Sequence, residues 1–457
     1  MKQLLFLLLA ALTFVSCTNR PQEGTCCGEM RHPKYAYSAS IYELNVRQLT
    51  EEGTFRAAEA VLPEIQQAGV DIIWVMPCQP IGELTRKGTL GSYYSIRDYC
   101  AINPEFGTMD DFRHFLSTAH QMGFKVILDW VANHTSPDHA WTANPDWHMR
   151  DAEGKLMIQY DWTDISKLNY DNQNMRQAMK QCMHYWMDSI GIDGFRCDVA
   201  GEIPVDFWND VMAELRATHP DMFTLAENED KAFDMCETAF NMYYGWELHH
   251  LINNVAQGKN TVDDLWSYFN KVDTTLQPSA IRMNFTSNHD ENSWNGTEQE
   301  RLGNANLMFA AFTYIIPGMP MIYTGQPSGN HHRLAFFEKD CIDRVENAPE
   351  MALYHQMDSI RTANKALWAN EKGGDFRRVP CDNDKIFACV RHKECKGCGV
   401  DNTVIALFNM SDQEQEVTLD LTGLEGKYTC MCCKHQKKFG SSKTIKLRPW
   451  AYKILTQ

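Results

Sequence analysis

The chain has 457 residues, of which 44% are hydrophobic and 22% charged, a balance that excludes collagen-like and disordered proteins. With ~100–200 residues per domain, this length predicts one large domain and one or two smaller units. The 43 Lys and Arg residues against 59 Asp and Glu residues leave a net charge of −16, which argues against a nucleic-acid partner. The 11% of aromatic residues suits a protein that stacks flat, weakly charged ligands, although a large aromatic core would have the same composition.

The N-terminal segment predicts export. Lys2 precedes an apolar run from Leu4 to Val15 that is shorter than the ~20 residues of a membrane-spanning helix, so residues 1–17 are interpreted as a signal peptide. The end of this run, FVSC, resembles a loose bacterial lipobox, in which Cys17 would carry the lipid and anchor the protein to an envelope membrane, in the periplasm or at the cell surface. An ordinary cleaved signal is the alternative. Residues 18–35 are polar and predict a tether.

From residue 41 onward, predicted strands and helices alternate. The eight predicted strands are Ile41–Leu49, Asp71–Pro77, Lys125–Val131, Ile192–Val199, Phe223–Glu227, Thr238–Tyr244, Ile281–Asn288 and Pro320–Thr324. The predicted helices between them are Thr54–Ala68, Met109–Met122, 174–190, Val205–Ala217, Thr261–Phe269 and Arg301–Tyr314. This alternation is typical of parallel βαβ units.

Eight such units predict the α/β class and a (β/α)8 TIM barrel over residues 36–375. A doubly wound open sheet is the structural alternative, but neither G-x-G-x-x-G nor a P-loop sequence occurs, and we expect no organic cofactor. The long segment after the third strand, about 134–171, predicts an inserted subdomain, because connections of that length are usually functional. Short alternating strands then predict a C-terminal all-β sandwich over 376–457.

Polar residues end several of the predicted barrel strands, where such barrels carry their reacting groups. Arg196 and Asp198 are two apart on one strand and therefore point the same way. The neighbouring Arg196 should depress the pKa of Asp198 and keep it ionised, as a nucleophile requires. Glu227, on the next strand, follows two apolar residues, and partial burial would raise its pKa toward that of a general acid. Two carboxylates with divided roles indicate glycoside hydrolysis.

The sequence motifs resemble the α-amylase family of glycoside hydrolases over residues 38–457. Four segments are similar to its signatures in the family's order: DWVANHT at 129–135, GFRCDVA at 194–200, LAEN at 225–228 and SNHDEN at 287–292. The resemblance implies a barrel with an insert after the third strand and a following β-sandwich, which agrees with the prediction from the alternating elements. The segment ISKLN at 165–169 is similar to the neopullulanase-like or intermediate amylases.

The same resemblance implies roles for individual residues. Asp198 matches the nucleophile, Glu227 the acid/base, and Asp290 a third carboxylate that holds sugar hydroxyls. Arg196 would orient Asp198, and the substrate ring would contact Tyr94, His134 and His289. Asn133 matches a position that binds calcium in many relatives, so the resemblance implies calcium as a cofactor.

The leading hypothesis is a retaining enzyme that hydrolyses mainly α-1,4-glucosidic linkages in starch, maltodextrins or related oligosaccharides. An α-glucan transglycosylase, or a relative directed at α-1,6 linkages or pullulan, would carry the same residues. A protein of a different class, which binds glycans on an inactive scaffold of this family, is the remote alternative. The intact Asp198, Glu227 and Asp290 argue against it. The expected partners are an α-glucan and, through the lipid anchor alone, a membrane; the oligomeric state stays open.

The C-terminal cysteines leave three alternatives open. Cys395 and Cys398 are followed by Cys430, Cys432, Cys433 and His435. One or two disulfides are the preferred interpretation for an exported protein. Free thiols and a structural zinc site are the other two.

Overall fold

The computed structural model describes residues 32–275, 279–394 and 401–457. The signal peptide and most of the tether predicted before residue 36, as well as Cys395 and Cys398, lie outside the described residues. Within the described ranges, no helix is long and apolar enough to cross a membrane.

Eight parallel strands close into a barrel, in which every strand pairs with its neighbours in chain order and the last pairs with the first. The strands are β1 Ile41–Leu44, β2 Ile72–Val75, β3 Lys125–Trp130, β4 Gly194–Cys197, β5 Phe223–Ala226, β6 Met242–Tyr244, β7 Ile281–Asn284 and β8 Met319–Tyr323. The predicted TIM barrel is therefore confirmed. Its strands are almost entirely buried, which is why they appear in the sequence as short apolar runs.

Helices cover the outside of the barrel. They are α1 Val46–Leu49, α2 Phe55–Gln67, α3 Met109–Gln121, α4 Gln173–His184, α5 Val205–Thr218, α6 Ala232–Thr238, α7 Trp246–Ala256, α8 Val262–Thr275, α9 Glu298–Leu302, α10 Asn306–Ile315 and α11 Pro349–Ala363. A large apolar cluster joins them to the outer faces of the strands, while a second cluster, including Trp74, Leu225 and Met283, fills the barrel interior.

Several predicted elements differ in extent from the observed ones, and two of these differences have a clear local cause. The first strand ends at Leu44 instead of Leu49, because Asn45 starts the short helix α1 and its side-chain amide donates to Gln48 Oε1 at 2.8 Å. The helix predicted over Arg301–Tyr314 is two helices, because Gly303 adopts φ +54° and ends α9 before α10 begins.

The insert begins where two short strands pair antiparallel, His134–Thr135 with Ser166–Lys167. At the C-terminus, six strands form one sheet in the order β9 Asp375–Arg378, β10 Ile386–Lys393, β11 Asn402–Asn409, β16 Tyr452–Thr456, β13 Gly426–Cys430 and β14 Gln436–Phe439. The strands β12 Gln415–Asp420 and β15 Ser442–Leu447 form a second sheet. A separate apolar cluster lies between these sheets, so the all-β prediction is confirmed.

The described C-terminal cysteines are not crosslinked to one another. Cys430 ends β13, and Cys432 and Cys433 are exposed in the turn that follows. Among the described residues, no group of three or more His, Cys, Asp or Glu side chains could hold a metal ion. The predicted disulfides through Cys395 or Cys398 stay predictions.

Candidate active site

The ends of the barrel strands and the loops around them enclose a cavity of about 460 Å³. Asp198 directly follows β4, Glu227 directly follows β5, and His289 and Asp290 lie beyond β7. Six of the residues predicted from the sequence line this cavity: Tyr94, His134, Asp198, Glu227, His289 and Asp290. Strands β3, β4 and β5 are in a register that places Asp129 beside Arg196 and aligns the last residues of β4 and β5, so that Asp198 and Glu227 emerge side by side.

One buried cation lies among three carboxylates. The Arg196 guanidinium is fully buried, and its Nη1 donates to Asp129 Oδ1 at 2.9 Å and to Asp198 Oδ1 at 2.8 Å. Its Nη2 lies 2.9 Å from Glu227 Oε2. The guanidinium also lies over the ring of Trp74, 4.9 Å from its centroid. Arg196 therefore contacts both of the predicted catalytic carboxylates, whereas the sequence analysis predicted only its contact with Asp198.

The ionisation of Asp198 differs from the prediction. Burial raises the pKa of the Asp198 carboxyl to about 6, although the charge of Arg196 lowers it. The expected depressed pKa was wrong, because loss of hydration outweighs one ion pair when the cation is shared with Asp129. Asp198 and Glu227 contact the two terminal nitrogens of the same guanidinium, so the two carboxyl groups are neighbours, and the proximity of Glu227 lowers the pKa of Asp198.

Glu227 has the ionisation that a general acid needs. Burial raises its pKa to about 7, and the charges of Asp198 and Asp290 add to this effect while Arg196 opposes it. The Val199 N–H donates to Glu227 Oε2 at 2.8 Å. Val199 adopts φ +36°, which is rare for a β-branched residue and turns the chain immediately after Asp198. This strained turn directs a backbone donor toward the acid.

His289 lies between an acid behind it and the cavity in front of it. Its Nδ1 lies 2.5 Å from Glu43 Oε1, and its Nε2 lies 2.8 Å from the Tyr94 hydroxyl and 3.4 Å from Asp290 Oδ2. Burial lowers the pKa of His289, but the charges of Asp290 and Glu43 reverse this and raise it to about 9. The ring therefore carries a positive charge at neutral pH. Glu43 was missed in the sequence, although it lies near the C-terminal end of β1, where functional groups of such barrels occur.

His134 and Asn133 have different surroundings. Burial lowers the pKa of His134 to about 4, so its ring is neutral, and its Nε2 has no partner among the described residues. The Asn133 Nδ2 lies 3.1 Å from His134 Nδ1 and 2.7 Å from Gln159 Oε1. Calcium takes six to eight oxygen ligands, often from carboxylates. The observed contacts of Asn133 are made by its amide nitrogen, so the calcium site at this residue stays a prediction, and no step of the reaction is assigned to a metal.

Aromatic side chains form the walls of the cavity. Tyr94 stacks on His289, with ring centroids 5.2 Å apart, and on Phe336, at 6.3 Å. Trp294 is 51% exposed and packs against Phe336, and Trp162 contributes from the insert. Aromatic faces suit the apolar faces of sugar rings. The sequence analysis predicted only Tyr94, because Trp162 and Phe336 lie in irregular segments and Trp294 lies in a short π-helix, Glu291–Asn295, none of which has a periodic pattern.

A closed (β/α)8 barrel that carries its acidic side chains at the C-terminal ends of the strands has the arrangement of a TIM-barrel enzyme. The alpha-amylase catalytic-domain family matches residues 44–146 and 142–384, and the chain belongs to this family. The chain is 26% identical to "Alpha-amylase MalA" of Haloarcula japonica over 404 residues, covering 85% of the chain but 57% of that relative, so it spans little more than half of its length.

Other comparisons bear on the fold and on the range of activities. The crystal structure of an alpha-amylase from Lactobacillus plantarum is 28% identical, with a TM-score of 0.80, 93% coverage of the chain and 99% of that structure. A noncanonic maltogenic alpha-amylase, AmyB, from Thermotoga neapolitana is 25% identical with a TM-score of 0.81, covering 92% and 98%. The chain is also 27% identical to an alpha-1,4-glucan:maltose-1-phosphate maltosyltransferase of Salinibacter ruber, covering 86% of the chain and 63% of that relative.

Proposed function

We propose that this protein is a retaining glycoside hydrolase that cleaves α-glucosidic linkages, mainly α-1,4, in starch, maltodextrins or related oligosaccharides. The observation that carries the proposal is the pair of neighbouring carboxyl groups, Asp198 and Glu227, which share the Arg196 guanidinium. Inverting enzymes hold the two carboxyl groups ~6.5–9.5 Å apart to admit a water, whereas carboxyl groups held by the two terminal nitrogens of one guanidinium favour the closer spacing of a retaining enzyme.

The reaction would proceed by double displacement. The Asp198 carboxylate attacks the anomeric carbon, while Glu227 donates its proton to the departing glycosidic oxygen, and a β-linked glycosyl ester forms. Glu227, now ionised, takes a proton from water, and the resulting nucleophile displaces Asp198 and restores the α configuration. Asp290 and the His289 imidazolium would hold sugar hydroxyls on the same ring, and Tyr94 would stack against it.

The test uses α-glucosyl fluoride, whose leaving group needs little acid assistance. Glu227→Gln should accumulate a covalent intermediate on Asp198, because ester formation continues while its hydrolysis loses the base. Asp198→Asn should form none, and each change should lower turnover of maltotriose by about 10³-fold or more. Mass spectrometry of the trapped enzyme and NMR of the first product provide the measurements. A β-anomeric product, or a label on another residue, would contradict the assignment.

A transglycosylase is the second candidate, favoured by the similarity to maltosyltransferases. Such an enzyme would form the same glycosyl ester on Asp198 but transfer the glycosyl group to a sugar hydroxyl instead of water. Products longer than the substrate at early times, formed from maltotriose with and without added maltose, would identify it. Pullulan and panose in the same assay would report on α-1,6 linkages.

We propose further that the protein is exported and anchored through lipidated Cys17. The support is the short apolar run and the FVSC sequence. Cys17→Ser should move the protein from the membrane fraction to the soluble fraction without changing its specific activity. Unchanged fractionation would contradict the anchor.

A further inference from the structure

One edge of the cavity is formed by three segments that meet at Lys87. Lys87 lies in the loop after β2, and its ammonium lies 3.3 Å from Asp164 Oδ1 and 3.4 Å from the Asp161 carbonyl oxygen, both in the insert. The same ammonium lies 5.9 Å from the ring centroid of Phe337, in the loop after β8. All four residues line the cavity. Lys87 therefore bridges the two walls of the cavity.

Further contacts hold the loop after β2 against the loop after β8. The Leu90 N–H donates to the Phe337 carbonyl at 3.0 Å, and the Thr89 N–H donates to Glu338 Oε1 at 3.0 Å. The two loops also approach too closely for a side chain at Gly88, where a Cβ would lie 2.6 Å from Phe337 Cβ. This edge is therefore closed by direct contacts between the loops.

The carboxylate that faces Lys87 is itself incompletely satisfied. Asp164 is 3% exposed, and its Oδ2 makes no hydrogen bond to any described residue. An incompletely satisfied buried carboxylate is costly, so its ion pair with Lys87 holds the two segments together. The Lys87 side chain is 30% exposed, so it is the polar group that this edge presents to a sugar end.

The position of this pair indicates which end of a glucan it meets. Glu227 must contact the glycosidic oxygen on C1 of the ring being cleaved, and O4 lies across that ring from C1. The non-reducing part of the chain therefore extends away from Glu227. Lys87 shares its loop with Tyr94, and β2 is three strands around the barrel from β5, which carries Glu227. Phe336 stacks on Tyr94 and packs against Phe337, which lies against Lys87, so the ring position over Tyr94 separates this edge from Glu227 and the edge faces the non-reducing side.

We infer that the bridge from Lys87 to Asp164 ends the substrate site on its non-reducing side, so that the enzyme recognises free non-reducing ends and short oligosaccharides instead of the interior of long chains. This inference rests on the proposed function and specifies its substrate class. A cavity of about 460 Å³ is within the range of small-molecule sites, which agrees with a short oligosaccharide as occupant.

The test compares two substrates that differ only at the non-reducing end, p-nitrophenyl maltoheptaoside and the same compound with a 4,6-ethylidene block on its terminal glucose. The full chain should cleave the free substrate about 100-fold faster than the blocked one, because the block meets the closed edge. Lys87→Ala should reduce this ratio about tenfold or more, mainly by faster cleavage of the blocked substrate. Should Lys87→Ala not fold, Lys87→Gln breaks the same ion pair while keeping most of the stem.

Lys155→Ala provides the matched control, since Lys155 is an exposed lysine of the insert that does not line the cavity. It should leave the ratio unchanged. Equal cleavage of both substrates by the wild type, or a ratio that Lys87→Ala does not alter, would overturn this inference alone. Failure to cleave either substrate would overturn the proposed function and this inference with it.

Discussion

Glu43 and His289 form a buried acid–imidazole pair, with Glu43 Oε1 2.5 Å from His289 Nδ1 and both side chains almost completely excluded from solvent. The other carboxylate oxygen of Glu43 has no hydrogen-bond partner among the described residues. Glu43 therefore makes its hydrogen-bonded contact toward the cavity through His289, whose Nε2 faces Tyr94 and Asp290. Glu43 is thus a positioning residue that keeps the imidazole charged and oriented.

Replacing Glu43 by Gln removes the charge and keeps a hydrogen-bond acceptor. The pKa of His289 should then fall below its present value of about 9, because burial would be opposed by Asp290 alone. At pH 8 we expect kcat/KM to fall about tenfold, with a smaller loss at pH 6, where the imidazole regains its proton. NMR titration of the His289 ring and pH–rate profiles measure the two effects.

Glu59 offers a matched control, because it lies 2.5 Å from His114 Nδ1 on the outer surface of the barrel. Glu59→Gln should leave the pH–rate profile unchanged. A Glu43→Gln variant that loses activity equally at all pH values, with an unchanged His289 titration, would indicate a purely structural role for Glu43.

The pKa values of the two central carboxyls predict a bell-shaped pH dependence. Asp198 must be ionised to attack, so kcat/KM should fall as the pH drops below about 6. Glu227 must keep its proton, so kcat/KM should fall as the pH rises above about 7. Because the groups are neighbours, the limbs report the apparent pKa values of the pair. A rate that continues to rise above pH 8 would exclude Glu227 as the acid.

The raised pKa of Glu227 also predicts that the folded protein loses stability as the pH rises. A carboxyl with a pKa of about 7 in the folded protein and 4.5 in the unfolded chain binds more protons when folded, so stability decreases as the pH rises through this interval. Glu227→Gln removes that loss and should be more stable than the wild type at pH 8, by up to about 3 kcal/mol, with little difference at pH 5.

Chemical denaturation at both pH values measures this difference. Glu153→Gln, on the exposed surface of the insert, provides the baseline for replacing a glutamate. Equal stability of Glu227→Gln and the wild type at pH 8 would mean that burial of the acid has no energetic cost in the folded protein.

The barrel could be predicted because its strands are buried on both faces, so each one leaves a short apolar run in the sequence. The sequence carries no apolar alternation at the C-terminal strands β9 and β14, because their sequences DFRR and QKKF are polar and largely exposed. Periodicity cannot identify a strand that relies mainly on backbone pairing with its neighbours. It also cannot place a boundary set by one side-chain hydrogen bond, as at Asn45.

The carboxylates of the site were predictable from their positions at strand ends, whereas their ionisation was not. The pKa of Asp198 depends on burial and on how many acids share Arg196, and neither quantity is visible in the spacing of two residues. Glu43 is a single acid within an apolar strand, and its role follows only from the closure of β1 against β8 and the approach of His289. The contact between Lys87 and Phe337 could not be predicted either, because it joins two loops that are distant in the sequence.

Gly194 is the first residue of β4, and its lack of a side chain lets β4 pack closely against β5, the strand that precedes Glu227. It adopts φ +149°, and a Cβ there would lie 1.8 Å from the carbonyl oxygen of Phe223, its partner in β5. Gly194→Ala should therefore force β4 from β5 and separate Asp198 from Glu227. We expect a loss of at least about 3 kcal/mol in the free energy of unfolding. Gly440→Ala, with no atom within 4 Å of the added Cβ, should cost less than about 0.5 kcal/mol. Urea denaturation and kcat for maltotriose are measured for both variants. Wild-type stability and turnover in Gly194→Ala would show that the two strands can move apart without disturbing the site.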